Sequence, residues 1–312
     1  MSLYREIKQH FHIPEAFTDW TEYRNTLTDY LIHQTDSFEV PLHFTQGMTT
    51  SKLQPSLLVI GAGACNDLDL AKLISHFSNI TLLDSDQSAL ETAIANYHLE
   101  QCSNITLSVK SLNGLTDHDY QLFCEELSDF LRMQHLTGIP ITTESFDDYA
   151  CTLLQHFLSG CVNYSIPLPE NSYDFIWCFG VHSQLQAMFS YIHHAFQINL
   201  QKMYPDFNIT KGTQFENILK EENNRFIPVF HDALLQCARQ KAFIGLEASR
   251  SLLAADGLTF SFANNAPIEG AYQGLLDLES RNLNLQKSGI LWPFRPDDNI
   301  YYQMQIEEIT LS

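Results

Sequence analysis

Residues 57–86 read LLVIGAGACNDLDLAKLISHFSNITLLDSD, and the fold of the whole chain is decided by their alternation of apolar runs and glycines. Leu57-Leu58-Val59-Ile60 is a short unbroken apolar run, as a parallel strand covered on both faces requires. Gly61 and Gly63 end it. Beyond them Asn66 or Asp67 can cap a helix, and Leu70, Leu73, Ile74 and Phe77 recur at helical spacing to give one apolar face. Ile80 to Leu83 is a second apolar strand, closed by Asp84. Strand, helix and strand in about 30 residues make a right-handed crossover unit with parallel neighbouring strands.

Ligands of such sheets bind outside the carboxyl ends of the strands, where the glycine turn and Asp84 would both lie. Glycines admit a ligand close to the backbone, a helix N-terminus offers free N–H groups to an anion, and an acid on the second strand can accept from both ribose hydroxyls. A nucleoside carrying an anionic group fits these features. The dinucleotide fingerprint needs a third glycine where Asn66 stands, which weighs against NAD or FAD. The remaining pattern resembles motif I of the class I S-adenosylmethionine-dependent methyltransferases, with Asp84 in the place of their ribose-binding acid. That family often has an acid two residues before the first glycine and another glycine two after the second, whereas this chain has Val59 and Cys65.

The rest of the chain extends the pattern. Residues Tyr4 to His33 carry a broken apolar stripe interrupted by Pro14, which reads as helices ahead of the sheet; the resemblance implies a lid over residues 1–50. The linker from Ser37 to Pro55 leads into the first strand. Ser85 or Asp86 can cap a helix carrying Leu90, Ala93 and Ile94, and Ile105 to Val109 alternates as a third strand. About sixty residues then precede the next strand, too many for a loop, and hold two helices near Asp117–Met133 and Phe146–Leu158. Tyr173 to Gly180, YDFIWCFG, is similar to motif IV of the same family, with Val181-His182-Ser183-Gln184 starting a helix after it. Leu185 to Phe196 and Phe215 to Leu219 mark further helices. Leu234 to Leu253 reads as helical up to a turn at Ala255-Asp256-Gly257, with Leu258 to Phe262 as the fifth strand. Ile290 to Phe294 and Tyr301 to Ile309 read as the sixth and seventh strands, paired as a hairpin.

The expected fold is therefore α/β: a Rossmann-like, doubly wound, seven-stranded and mostly parallel sheet with an antiparallel last strand. The methyltransferase-like domain would span residues 51–312, with helical insertions near 111–170 and 183–230. The resemblance implies S-adenosylmethionine as cofactor, with Gly61, Ala62, Gly63, Asp67, Asp84, Ser85, Asn113, Gly180 and Val181 around it. His182 follows the strand that faces the transferring methyl group and titrates near neutral pH, so it is the candidate general base.

Composition limits the partners. The net charge is -20, from 17 basic and 37 acidic residues without a basic run, which opposes binding to nucleic acid and anionic membrane surfaces. No apolar stretch is long enough to span a bilayer and the first residues carry charge, so a cytoplasmic location is expected. Seven dispersed cysteines without a CxxC suggest neither disulfides nor zinc, and the histidines lack metal-ligand spacing. GxSxG and P-loop patterns are absent. The resulting expectation is methyl transfer to a small-molecule acceptor. The reading from another class is a degenerate protein of the same fold that binds S-adenosylmethionine or a partner without turnover, motivated by Val59 and Cys65. Aminopropyl transfer fits less well, because no acidic polyamine site follows the fourth strand.

Overall fold

The computed structural model describes residues 3–9, 13–36, 54–209, 214–253, 260–262 and 268–311. In chain order the helices and strands are α1 (Leu3–Gln9), α2 (Ala16–Asp19), α3 (Thr21–Asp36), β1 (Ser56–Ile60), α4 (Leu70–Leu73), β2 (Asn79–Asp84), α5 (Gln87–Asn96) and β3 (Ile105–Val109). They continue through α6 (Asp117–Thr137), α7 (Thr143–Cys161), β4 (Tyr173–Phe179), α8 (Ala187–Met203), α9 (Gln214–Cys237) and β5 (Ala238–Leu253). The last are β6 (Phe260–Phe262), α10 (Ala271–Ser280), β7 (Asn284–Arg295) and β8 (Ile300–Thr310).

The sheet runs β3-β2-β1-β4-β5-β8-β7, with the short β6 pairing only with the end of β5. The strands β3, β2, β1, β4 and β5 are mutually parallel, and β8 runs antiparallel between β5 and β7. This is the doubly wound, seven-strand order expected from the sequence, with β7 and β8 paired as a hairpin and β7 at the edge. Alternation along each strand sends successive side chains to opposite faces. Leu57 and Val59, Ile80 and Leu82, and Phe175 and Trp177 join one core, shared with α3, α4 and α5. Leu58, Ile60, Ile176, Cys178, Ala242 and Ile244 join the other, shared with α9 and α10. Both faces of β1 are therefore dry: its residues 57–60 are at most 1% exposed, each burial contributing about 1.5–3 kcal/mol.

The insertions have a core of their own. Phe123 of α6, Phe146 of α7, Phe189 of α8 and Phe215 of α9 are all fully buried in one cluster that also receives Tyr4 and Ile7 of α1. Thr116 and Thr142 start α6 and α7 with reciprocal capping boxes, and Gly138 ends α6 in the left-handed conformation.

Several local readings are corrected. The fifth strand is Ala238–Leu253, in the stretch expected to be helical, and Phe260–Phe262 is only a three-residue partner to its end. The helix period of Phe230 and Leu234 runs up to Cys237, and the strand begins at the next residue with no glycine or proline to mark the change. Asp69, not Asn66 or Asp67, caps α4, accepting from the Lys72 N–H. Residues 182–186 form turns, so the helix after β4 begins at Ala187. The helix α10 had no sequence-based expectation. The linker residues 37–53 and the turn at 254–259 lie outside the described residues.

Gly245 of β5 lets the Phe179 ring lie against the sheet, since a Cβ at 245 would meet that ring at 2.3 Å. Phe179 in turn stacks on Trp177, with centroids 3.8 Å apart and planes within 2°. Gly245→Ala should therefore displace Phe179 and destabilise the fold by about 1–3 kcal/mol in chemical denaturation. An unchanged denaturation midpoint would show that the close approach is not needed.

Candidate functional site

A cleft of about 1210 Å³ opens along the carboxyl ends of β1, β2 and β4 and is closed on two sides by the N-terminal helices and by β7 and β8. Its floor is the turn after β1. The Gly61 and Ala62 N–H groups both donate to the Leu83 carbonyl, at 2.9 and 3.1 Å, and the Gly63 N–H donates to Asp84 Oδ2 at 2.9 Å. The backbone turns with φ of +67° at Gly61 and +50° at Gly63, values that favour glycine. A Cβ at Gly61 would stand 2.4 Å from Val181 Cγ2, whereas one at Gly63 would meet nothing within 4 Å. Gly61 thus permits the close packing of the turns after β1 and β4, and Gly63 leaves open space.

Asp84 lies at the end of β2 beside this turn. Its Oδ1 accepts from the Asp86 N–H at 2.8 Å, while Asp86 caps α5 through the Ser88 and Ala89 N–H groups. Burial pushes the Asp84 carboxyl above its ordinary value, against the backbone hydrogen bonds that favour the charged form. Ser85, next along, is exposed in the cleft. Asp67 also lines it. That carboxylate accepts from Trp177 Nε1 at 3.2 Å and is raised by burial.

Of the other residues singled out in the sequence, Gly61, Ala62, Gly63, Asn113, Gly180 and Val181 all line the same cleft. Asn113 is buried, and its side-chain amide is engaged by its surroundings: it donates to the Leu185 carbonyl and accepts from the Leu115 N–H. Its visible role is to hold the loop after β3. One end of the cleft is crossed by α1, whose Lys8 reaches both Asp86, at 2.9 Å, and Asp117, at 2.6 Å. Tyr4 adds a hydrogen bond to Asp117.

His182 is placed elsewhere. It is 1% exposed, does not line the cleft, and faces the opposite core, so it offers no base to a molecule in the cleft. Its Nε2 lies 2.8 Å from His231 Nε2, and His231 Nδ1 lies 2.6 Å from Asp277 Oδ2, which Arg281 Nε also approaches at 2.7 Å. A carboxylate can only accept, so His231 Nδ1 carries the hydrogen, and His231 Nε2 accepts from His182. Gly270 and Gly274 bring α10 against this group: a Cβ at 270 would stand 2.4 Å from the His182 carbonyl oxygen. The chain of side chains fastens the turn after β4 to α9 and α10.

Residues missed in the sequence complete the cleft's other end. Trp20 and Tyr23 come from the N-terminal helices, and Trp292, Phe294 and Tyr302 from β7 and β8. Beside them sits Glu247 of β5, 3% exposed. A signal for Glu247 did exist: Ala242 to Leu246 is an apolar run closed by an acid, the same pattern that identified β2 and Asp84.

No protein-family model and no curated protein matches this chain. Among solved structures it is similar to N-methyltransferase NodS from Bradyrhizobium japonicum WM9 in complex with S-adenosyl-L-homocysteine, at 11% identity, 98% of this chain, 97% of that chain and a TM-score of 0.43. It is similar as well to a SAM-dependent methyltransferase from Aquifex aeolicus, at 11% identity, covering 99% and 98%, with a TM-score of 0.39. A third is magnesium protoporphyrin IX methyltransferase (ChlM) from Synechocystis PCC 6803 with bound SAM, at 10% identity, covering 100% and 92%, with a TM-score of 0.42.

Burial lowers both His182 and His231 below their ordinary 6.5, His182 well below it with the neighbouring His231 adding to the effect, and His231 against the opposing pull of Asp277. The unfolded chain gains protons on these rings below about pH 6.5 while the folded chain does not, so stability present above that pH is lost as pH falls through it. The loss should reach about 1 kcal/mol per pH unit for His182. Thermal midpoints at pH 7.5 and 5.5 should fall for the wild type and fall less for His182→Gln; parallel behaviour of the two would contradict the neutral assignment. By its own strand order, with a glycine turn after β1 and an acid closing β2, the chain has the class I S-adenosylmethionine-dependent methyltransferase fold.

Proposed function

We propose that this protein is a methyltransferase that uses S-adenosylmethionine to methylate a small-molecule acceptor. The observation that carries this reading is the placement of Asp84 at the end of β2, directly against the Gly61–Gly63 turn and inside the cleft. The residues fit the cofactor's parts. Asp84 has acceptor oxygens for ribose hydroxyls, and the open space over Gly63 admits a ligand to the backbone. Asp67, which lines the cleft beside the turn, supplies a carboxylate for the amino group of an amino-acid moiety.

The cofactor supplies an electrophilic methyl group when bound. The chain's part is to hold the acceptor in line and keep water out. Phe179, Gly180 and Val181 line the wall at the end of β4, and the N-terminal helices close over the cleft. We assign α1 to α3 the role of a lid, with Lys8 strapping α1 to Asp86 and Asp117. The net charge of -20 and the absence, among the described residues, of a helix long and apolar enough to cross a membrane favour a small soluble acceptor over a nucleic acid or a bilayer.

Asp84→Ala tests the assignment. Calorimetric titration with S-adenosylhomocysteine should show affinity about 10- to 100-fold weaker than in the wild type, the loss of charge-assisted hydrogen bonds. Equal affinity in a folded variant would mean that Asp84 only braces the turn.

A further inference from the structure

At the end of the cleft remote from Lys8, aromatic rings from two parts of the chain meet around one carboxylate. Trp20 stands edge-on to Trp292 at 5.0 Å, Tyr23 stacks on Trp292 at 6.2 Å, and Phe294 and Tyr302 lie 4.9 and 5.8 Å from Trp292. All five line the cleft. Glu247 does not itself line the cleft but lies directly behind it, paired in register with the lining residue Met304 of β8, and partners in an antiparallel pair present their side chains on the same face. The register shifts just past it, between Glu247 and Ser249, a bulge of the kind that re-aims a side chain.

The carboxylate is only half satisfied. Glu247 Oε1 accepts from the Ser183 hydroxyl at 2.6 Å, and the buried Oε2 has no hydrogen-bond partner among the described residues. Burial raises this carboxyl, the Ser183 hydroxyl and its own N–H oppose that, and no cation among the described residues is placed to offset it. Arg250 and Arg295 act instead on Tyr302. Gly180 matters here because a Cβ at that position would stand 3.7 Å from Glu247 Oε1 and 3.7 Å from the Trp292 ring. With glycine at 180, no side chain of that residue separates the end of β4 from the carboxylate.

An unpaired buried carboxylate oxygen is costly, and a ligand that supplies the missing donor would offset that cost. A charged donor suits the site best. Tyr23 is acted on by two carboxylates, Asp67 and Glu247, and electron-rich aromatic rings favour a cation nearby. We propose that this chamber binds the acceptor, and that the acceptor is a primary or secondary amine carried on an aromatic body. The ammonium lies against Glu247, and the aromatic body lies among Trp20, Tyr23, Trp292 and Tyr302. The assignment rests on the reading of the cleft as a methyl-transfer site, but the chamber's preference for an amine is measurable without turnover.

The test is calorimetric titration of the full-length chain with phenethylamine and with 2-phenylethanol, which share a body and differ in charge, with and without S-adenosylhomocysteine. Phenethylamine should bind about tenfold more tightly, and Glu247→Gln should erase the preference. Equal binding of the two, no binding of either, or a preference that survives Glu247→Gln would overturn the proposal; the wild-type comparison stands even where the variant fails to fold. The two readings fail separately. Absence of S-adenosylhomocysteine binding removes the cofactor assignment, whereas cofactor binding without an amine preference removes only the amine chamber.

Discussion

Three backbone N–H groups tie the turn after β1 to the end of β2, and the rest of the site depends on that tie. Gly61 and Ala62 donate to Leu83, and Gly63 donates to Asp84. A strand buried on both faces cannot leave its terminal polar groups unpaired, so the turn has to find partners at once. It finds them on the neighbouring parallel strand, which fixes Asp84 against the glycines. Left-handed backbone at both glycines makes this possible, and the absent Cβ at Gly61 lets Val181 close in from β4.

The second turn of the site, after β4, is held differently. Its backbone is fastened from behind by His182, through His231, to Asp277 and Arg281, all on the face away from the cleft. Gly180 and Val181 line the ligand space, Val181 also packs into the core shared with α9 and α10, and the next residue anchors the turn on that side. Position after a strand end did not reveal which way the histidine pointed, because a turn resets the alternation that a strand imposes. Here the sequence could place His182 at the right strand end and not on the right side.

What was legible followed from period and punctuation. The unbroken runs of β1, β2 and β4, each bounded by glycine or an acid, identified the central strands and with them the glycine turn and Asp84. The sheet's fifth strand was hidden because α9 passes into β5 between Cys237 and Ala238 with no breaking residue, so helical spacing carried over into the strand. Misplacing that strand concealed Glu247. The aromatic chamber was invisible for another reason: Trp20 and Tyr23 are some 270 residues from Trp292 and Tyr302, and only the antiparallel return of β8 between β5 and β7 brings them together.

The cleft's glycine turn and Asp84 are suited to an adenosyl amino acid rather than a dinucleotide. Titration of the wild-type protein with S-adenosylmethionine, S-adenosylhomocysteine and NAD settles this most directly. Dissociation constants in the micromolar range for the first two, with no heat from NAD, are the expected result. Binding of NAD, or no binding of either adenosyl compound, would contradict it.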